Sequence, residues 1–216
     1  MNKTQILNCV LLLAVAALGV YALLLSRKVG GQAPAPAAET AADTTAAGEW
    51  RKASPEDIKN PVTLFAKDWM ALAAGHKGDM NAMTVGWGTV GQLWGKPVVT
   101  VYVRESRYTY DFMERNAYFT LTAFPESKRK ALEYLGSHSG RDEKDKAERA
   151  GLTAEFTELG NPIFAEATLA IECRVLYKEE MKKELMDADV QKDCYGRDEK
   201  SIHVMYVGEI VNVWKK

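Results

Sequence analysis

Residues 86–91 read Gly-Trp-Gly-Thr-Val-Gly and match the spacing of the dinucleotide-binding fingerprint, G-x-G-x-x-G. In that motif a helix must begin at the glycines, so that its N-terminus meets the pyrophosphate. The β-branched run at residues 98–103 predicts the next strand, which leaves only residues 89–97 for the crossover helix. A crossover needs a dozen or more residues, and glycine and proline within this stretch disfavour a helix interior. We therefore reject a Rossmann site here.

Glycines in or beside a strand have two other uses. They form bulges, or they let a ligand approach the backbone closely. In the second case the strand at 81–87 would lie against a flat ligand, with Gly86 and Gly88 permitting the approach and Thr84 offering a hydroxyl. The residues alone leave both interpretations open.

Residues 104–109, Arg-Glu-Ser-Arg-Tyr-Thr, fall between a strand end and a helix start. Hydroxyls, arginines and a helix N-terminus together form a favourable phosphate site. The alternative is that Ser106 only caps the helix and that the arginines are solvated.

Two further candidates are the run at 137–146 and His203. The run contains Ser139, Gly140 and Lys146, which could close over an anion, although such charged runs are typical of surface loops. His203 begins the last predicted strand, where a lone histidine can also be structural. The sequence shows no Ser-His-Asp arrangement, no HExxH motif and no cluster with metal-ligand spacing, so no hydrolytic machinery and no metal site are indicated.

Strands and inserted helices must position these groups. The predicted strands lie at 69–74, 81–87, 98–104, 118–124, 153–156, 165–177 and 202–214, with strand also resuming at Pro162. A glycine-rich connection is predicted between the second and third of these strands. The predicted helices lie at 54–67, 107–115, 127–135 and 145–150, and Asn60-Pro61 can break the first of them. A polar loop is predicted around Cys194. This order does not alternate regularly enough for a parallel βαβ protein. It indicates a mainly β protein, a small antiparallel β-barrel with peripheral helices.

The N-terminal segment differs from the rest of the chain. Residues 6–25 carry no charge, and twenty apolar residues can span a bilayer, whereas a signal peptide has a shorter apolar core. We predict a membrane anchor or signal segment at 1–28, a flexible linker rich in Ala, Pro and Thr at 29–48, and the globular domain at 49–216. Such a tether predicts a membrane-anchored or secreted protein whose domain is extracytoplasmic (periplasmic).

Composition excludes some classes. The 216 residues carry a net charge of −1, which gives no general electrostatic attraction to nucleic acid. Three cysteines without a CxxC motif do not indicate a zinc or iron–sulfur site. Cys173 is predicted to be a small core residue, and whether it pairs with Cys194 stays open.

Four segments, in this order, resemble the flavin reductase-like, FMN-binding split-barrel family of the flavoredoxin type. They are NAMTVGWG (81–88), KPVVTVYVRESRYT (96–109), SGRDEKDK (139–146) and HVMYVGEI (203–210). Together they extend over most of residues 54–216. The resemblance implies a homodimer of split barrels that binds FMN non-covalently.

The resemblance also implies three groups of site residues. Those along the isoalloxazine, mostly through backbone groups, would be Met83, Thr84, Val85, Gly86 and Trp87. Those holding the ribityl phosphate would be Ser106, Arg107, Tyr108 and Thr109, with Arg104 assisting and with Ser139, Gly140 and Lys146 completing the anion site. His203 matches the histidine of the H-x-x-x-x-G-E motif, which in reductase members lies near the flavin and the nicotinamide. Many relatives carry serine where Gly86 stands here, so a hydroxyl near the ring is missing.

Three functions are compatible with this resemblance. The first is an enzyme, a flavin or ferric reductase with NADH or NADPH as the electron donor. The alternative is a flavoredoxin-like electron carrier that has no pyridine nucleotide site and is reduced by a redox protein partner. The third, a non-catalytic split barrel, is disfavoured by the intact phosphate-side residues. An extracytoplasmic location would favour the carrier, or a reductase fed by a membrane donor, because reduced pyridine nucleotide is mainly intracellular.

Overall fold

The computed structural model describes residues 49–58, 60–196 and 201–216. The predicted anchor or signal segment (1–28) and the predicted linker (29–48) lie outside the described residues. In the described ranges, no helix is long and apolar enough to cross a membrane.

Ten strands and five α-helical segments make up the described chain. The strands are β1 (Arg51–Ala53), β2 (Met70–His76), β3 (Asp79–Val85), β4 (Gly88–Leu93), β5 (Lys96–Arg104), β6 (Tyr118–Ala123), β7 (Ala154–Phe156), β8 (Pro162–Phe164), β9 (Leu169–Glu180) and β10 (His203–Lys215). The helices are α1 (Pro61–Thr63, continued by a π-turn over Leu64–Asp68), α2 (Tyr108–Arg115), α3 (Arg129–Ser137), α4 (Lys146–Arg149) and α5 (Ala188–Tyr195). Short 3₁₀ turns lie at Pro55–Asp57, Glu126–Lys128 and Lys183–Leu185.

Eight of the strands form one antiparallel sheet in the order β3-β2-β6-β9-β10-β5-β4, with β1 paired to β10. The two ends of this order, β3 and β4, are consecutive in the chain and are joined by only Gly86 and Trp87. Three Cα–Cα steps reach at most about 11 Å, so the Cα atoms of Val85 and Gly88 must lie close together. The sheet therefore curls until its ends approach each other, although β3 and β4 do not pair. The predicted mainly β, antiparallel fold with helices is confirmed.

Alternation along β2 divides the apolar interior into two parts. Met70 and Leu72 join the main core inside the curled sheet, while Ala71 and Ala73 join a second cluster that includes Leu132 of α3. Successive side chains of a strand point to opposite faces, so both faces of β2 are buried. The small alanines let α3 pack close to the sheet, and this packing places the C-terminal end of α3 beside β3.

Two expectations about secondary structure were wrong. Residues 88–93, predicted as a glycine-rich connection, form β4, because all six pair with β5 despite the glycines. The polar segment around Cys194, predicted as a loop, contains helix α5, whose N-terminus is capped by the Asp187 carboxylate. Cys173 is fully buried in the main core, as predicted, and both it and Cys194 are free thiols.

Candidate functional site

Two adjoining cavities open where the ends of the curled sheet approach each other. They share Met83 and Arg107 as lining residues. The small cavity has a volume of about 100 Å³, and the large cavity has a volume of about 240 Å³. Every site residue that the family resemblance implied lines one of the two cavities, whereas Gly88 lines neither.

The small cavity is lined by hydrogen-bond donors and contains no carboxylate. Its polar lining comes from β3, the start of α2 and the turn before it, the end of α3 and the loop from α3 to the first residue of α4. These residues are Asn81, Ser106, Arg107, Tyr108, Thr109, Ser137, His138, Ser139, Gly140 and Lys146. Arg107 also donates from Nη1 to the Gly136 carbonyl at 2.8 Å, which fixes its guanidinium against the end of α3. Cations and hydroxyls without an acid favour an anionic ligand.

Lys146 is a buried cation, with only 4% of its surface exposed. Its Nζ donates to the carbonyl of Leu135 at 3.2 Å and to that of His138 at 3.1 Å. Within the described chain, no carboxylate lies within ion-pair distance of this ammonium. Burial, together with the nearby Arg107, lowers the pKa of Lys146 to about 8, although Glu143 acts in the opposite direction. A buried ammonium with neutral acceptors alone lacks the counter-charge that such groups normally have.

The wall of the small cavity depends on contacts that the sequence did not reveal. A Cβ on Gly140 would collide with the Asn81 amide and come within 2.9 Å of Tyr108 Cδ1, so the loop after α3 can pack here only with glycine. Asn81 is buried, and its Nδ2 donates to Thr109 Oγ1 at 2.7 Å. This bond ties β3 to the first turn of α2.

Arg141 connects the loop after α3 to α2 and to the turn before it. Its Nη1 donates to the Ser106 carbonyl at 3.1 Å, and its Nη2 donates to Asp111 Oδ2 at 3.0 Å. Neither Asn81 nor Arg141 was predicted from the sequence as a site residue. Asn81 lay inside the NAMT segment and Arg141 inside a charged run, and neither position carries a local signal that distinguishes it from its neighbours.

The end of β3 and the link that follows it form one wall of the large cavity. This wall is lined by Met83, Thr84, Val85, Gly86 and Trp87, and the opposite side by Tyr102, Arg104, Arg107 and His203. The Thr84 hydroxyl donates to the Leu132 carbonyl and therefore holds α3 against β3. The indole of Trp87 is about half exposed at the cavity.

Of the glycines in the 86–91 motif, Gly88 is the one that internal packing requires. A Cβ on Gly88 would lie only 2.5 Å from Phe65 Cζ, so glycine is required here by the packing of the Phe65 ring. A Cβ on Gly86 would lie 3.4 Å from the Trp69 ring, which is an ordinary contact. The expectation that Gly88 lets a ligand approach the backbone is therefore corrected, because a side chain of the protein fills that space.

Arg104 also differs from its expected place. It lines the large cavity and not the small one, so the structure does not bring it to the predicted phosphate contacts. Its Nη2 donates to the Cys194 carbonyl at 2.7 Å, and its Nη1 donates to the Ser201 carbonyl at 3.3 Å. These bonds direct the guanidinium towards the segment that carries α5.

His203 lines the large cavity and has one ring nitrogen bonded. Nδ1 lies 2.8 Å from the Tyr195 hydroxyl, and the imidazole centroid lies 4.9 Å from that of Trp87. Burial, followed by the positive charges of Arg104 and Arg107, lowers the pKa of His203 to about 4. The imidazole is therefore uncharged at neutral pH.

Together the two cavities suit an elongated ligand with an anionic group at one end and a flat ring at the other. The small cavity supplies cations and hydroxyls, and the large one supplies backbone, an indole and a neutral imidazole. Among the described residues, neither cavity is lined by a carboxylate.

One family of known proteins matches most of this chain. The family model described as the flavin reductase-like domain matches residues 58–216. A comparison with curated proteins found no match.

Among solved structures, the flavoredoxin of Methanosarcina acetivorans is 24% identical, with a TM-score of 0.55 over 69% of this chain and 68% of that one. The FMN-binding domain of a flavin reductase-like enzyme from Shewanella baltica OS155 is 15% identical, with a TM-score of 0.56 and 78% of each chain covered. The NADH:FAD oxidoreductase of Streptomyces globisporus C-1027 is 16% identical, with a TM-score of 0.54 over 76% of this chain and 85% of that one. At these identities, the likeness concerns the fold.

Proposed function

We propose that this chain, which belongs to the flavin reductase-like domain family, is a split barrel that binds FMN non-covalently. Through the bound FMN it would transfer electrons. The observation that carries the proposal is the small cavity, where the buried Lys146 and the exposed Arg107 lie beside hydroxyl and amide donors without any acid. A phosphate monoester dianion would supply the missing counter-charge. The adjoining large cavity would take the ring.

The residues present fit this cofactor at its phosphate end. Arg107 and Lys146 would hold the phosphate by charge, and Ser106, Thr109 and Ser139 would hold it by hydroxyl groups. Gly140 would bring the loop after α3 close enough to cover it. Carbonyl bonds already orient both cations, so little side-chain entropy remains to be lost on binding.

At the ring end, the chain would supply placement. Met83 to Trp87 would lie along the ring, and Trp87 would cover part of it. The neutral His203 imidazole would face the ring as an uncharged hydrogen-bonding group. FMN, when bound, supplies the electron- or hydride-accepting chemistry.

For the electron donor, we propose NADH or NADPH first, which would make the protein a flavin or ferric reductase. The alternative is a flavoredoxin-like carrier without a pyridine nucleotide site, reduced by a protein partner. Trp87 favours keeping this alternative, because 48% of its surface is exposed at the large cavity and could contact a docking protein.

We further propose that the protein is a homodimer held at a membrane. The outer edge of β4 is unpaired among the described residues, and Leu93 and Trp94 are exposed at its end, with Trp94 61% accessible. Exposed edges with large apolar side chains are normally covered, and a second copy is the occupant that we propose. The segment at 1–28 would anchor or export the domain to the periplasmic side, with 29–48 as the tether.

One experiment separates the main alternatives. The full-length protein is supplied with FMN and desalted, and its visible spectrum is recorded before and after anaerobic addition of NADH or NADPH. Retained flavin that bleaches with the nucleotide supports the reductase. Retained flavin that bleaches only with dithionite supports the carrier, and loss of the flavin on desalting contradicts tight FMN binding.

The phosphate assignment is tested with Arg107→Ala, which should release FMN on desalting. Arg115→Ala is the matched control, because Arg115 is a half-exposed arginine at the other end of α2 that pairs with Asp79. Equal retention of FMN by the Arg107→Ala and wild-type proteins would contradict the assignment.

A further inference from the structure

Arg104 hydrogen-bonds to the end of α5 and to Ser201, two residues before His203. The guanidinium donates to the carbonyls of Cys194 and Ser201, and its Cζ lies 5.2 Å from the centre of the Tyr195 ring. Arg104 is also the residue that faces His203 across the β5–β10 pairing. Arg104 therefore lies opposite the histidine in the sheet and contacts the end of α5 with its side chain.

Tyr195, at the end of α5, is the residue that contacts the His203 imidazole. It is the last residue of α5, only 2% of its surface is exposed, and its ring meets that of His203 edge-on at 5.6 Å. Its hydroxyl lies 2.8 Å from Nδ1. In the described chain, neither the hydroxyl nor either ring nitrogen has another hydrogen-bond partner.

The direction of this hydrogen bond follows from the chemistry of the two groups. A neutral phenol is a good donor and a poor acceptor, whereas the unprotonated nitrogen of imidazole is a strong acceptor. The groups that face the ring are the two cations Arg104 and Arg107, the neutral Tyr195 and the indole of Trp87, so nothing nearby favours imidazolium. The hydroxyl therefore donates to Nδ1, and the single ring proton resides on Nε2.

We propose that Tyr195 is a positioning residue that holds His203 in its Nε2–H tautomer, so that the large cavity is offered an uncharged N–H donor. The tautomer is a property of the protein alone. The identity of the acceptor, an electron-rich oxygen or nitrogen of a flavin or its substrate, rests on the proposed function. A donor of this kind would stabilise negative charge that develops on the ligand, and its strength would not vary with pH across the neutral range.

The tautomer is measured directly in the flavin-free, full-length protein by ¹⁵N NMR of the histidine ring nitrogens at pH 7. His203→Gln identifies the signals by their disappearance. We expect a pyrrole-type shift for Nε2 and a pyridine-type shift for Nδ1. A proton on Nδ1 in the wild-type protein would overturn the proposal without any variant being needed.

Tyr195→Phe removes the hydroxyl and keeps the ring. We expect the two nitrogen shifts to move towards each other, because both tautomers become populated. Tyr206→Phe is the matched control, because it removes a different buried phenol, which lies in β10 and donates to Glu114 Oε1 at 2.7 Å. This substitution should leave the His203 shifts unchanged. Unchanged shifts in Tyr195→Phe would also overturn the proposal.

The role towards the ligand is tested separately in the FMN-loaded protein. Tyr195→Phe should slow reduction of the flavin about two- to tenfold, the worth of one ordinary hydrogen bond, while FMN is retained as in the wild-type protein. If no variant and no wild-type protein retains FMN, the proposed function fails while the tautomer result stands. If FMN is retained and Tyr195→Phe reduces at the wild-type rate, the positioning role is refuted.

Discussion

Replacing Lys146 by methionine should weaken FMN binding about 100-fold while leaving riboflavin binding unchanged. The size of the effect follows from the desolvation of the ammonium. Its pKa lies at about 8, against an ordinary value of 10.5. At about 1.36 kcal/mol per pKa unit, the ligand-free protein holds this charge at a cost of about 3 kcal/mol near neutral pH. A phosphate beside the ammonium recovers that free energy, and methionine offers the phosphate nothing.

The assay is a fluorescence titration of the full-length protein with FMN and, separately, with riboflavin, which has the same ring but no phosphate. Lys144→Met is the matched control, because Lys144 is an exposed lysine in the same loop. A Lys146→Met protein that binds FMN as tightly as the wild type would refute the reasoning. An equal loss of riboflavin would do so too, because it would mean that the substitution damages the site as a whole.

The same lysine predicts a pH dependence of defined sign. Its pKa in the folded, ligand-free protein is lower than in the unfolded chain, so between about pH 8 and 10.5 the unfolded chain binds more protons. The stability of the ligand-free protein should therefore gain a rising contribution with pH in this window, and Lys146→Met should lack that contribution. FMN affinity should fall as pH rises above about 8, because the complex requires the ammonium.

Three further predictions concern packing and charge. Gly88→Ala should lower the free energy of unfolding by about 1–3 kcal/mol in urea denaturation, because the Cβ meets the Phe65 ring, whereas Gly91→Ala in the same strand has open space and should stay within about 0.5 kcal/mol. Equal effects of the two would contradict this packing. Gly140→Ala should weaken FMN binding at least about tenfold and leave riboflavin binding unchanged in the same titration, because the loop can no longer close on the small cavity. Unaltered FMN affinity would mean that the loop does not contact the ligand. The pKa of His203 lies at about 4 when folded and at about 6.5 when unfolded, so it contributes up to about 3 kcal/mol of stability above pH 6.5 that is lost as pH falls to 4. Between pH 4 and 8, the free energy of unfolding should rise less steeply with pH for His203→Gln than for the wild-type protein. An identical slope would mean that the imidazole is not held neutral.

Local sequence patterns identified the strands rich in β-branched residues and the helix starts with clear capping residues. The β-branched run of β5 and the acidic, proline-led start near Ser54 depend only on neighbours along the chain, and both predictions hold in outline. The glycine-rich β4 was missed because its strand character comes from pairing with β5. The length of the 89–97 segment was enough to exclude a nucleotide-binding crossover, since chain geometry alone forbids it.

The sequence by itself predicted the antiparallel β-rich fold, because strand periodicity is a property of the chain. Its ordered motifs, through the resemblance to a known family, also identified most of the residues that line the two cavities. Only the tertiary structure decided their electrostatic state. Lys146 became a buried cation, Arg104 turned to the α5 segment, and Tyr195 met His203. Desolvation and hydrogen-bond pairing depend on which distant groups exclude water from a side chain, and no spacing along the chain encodes that.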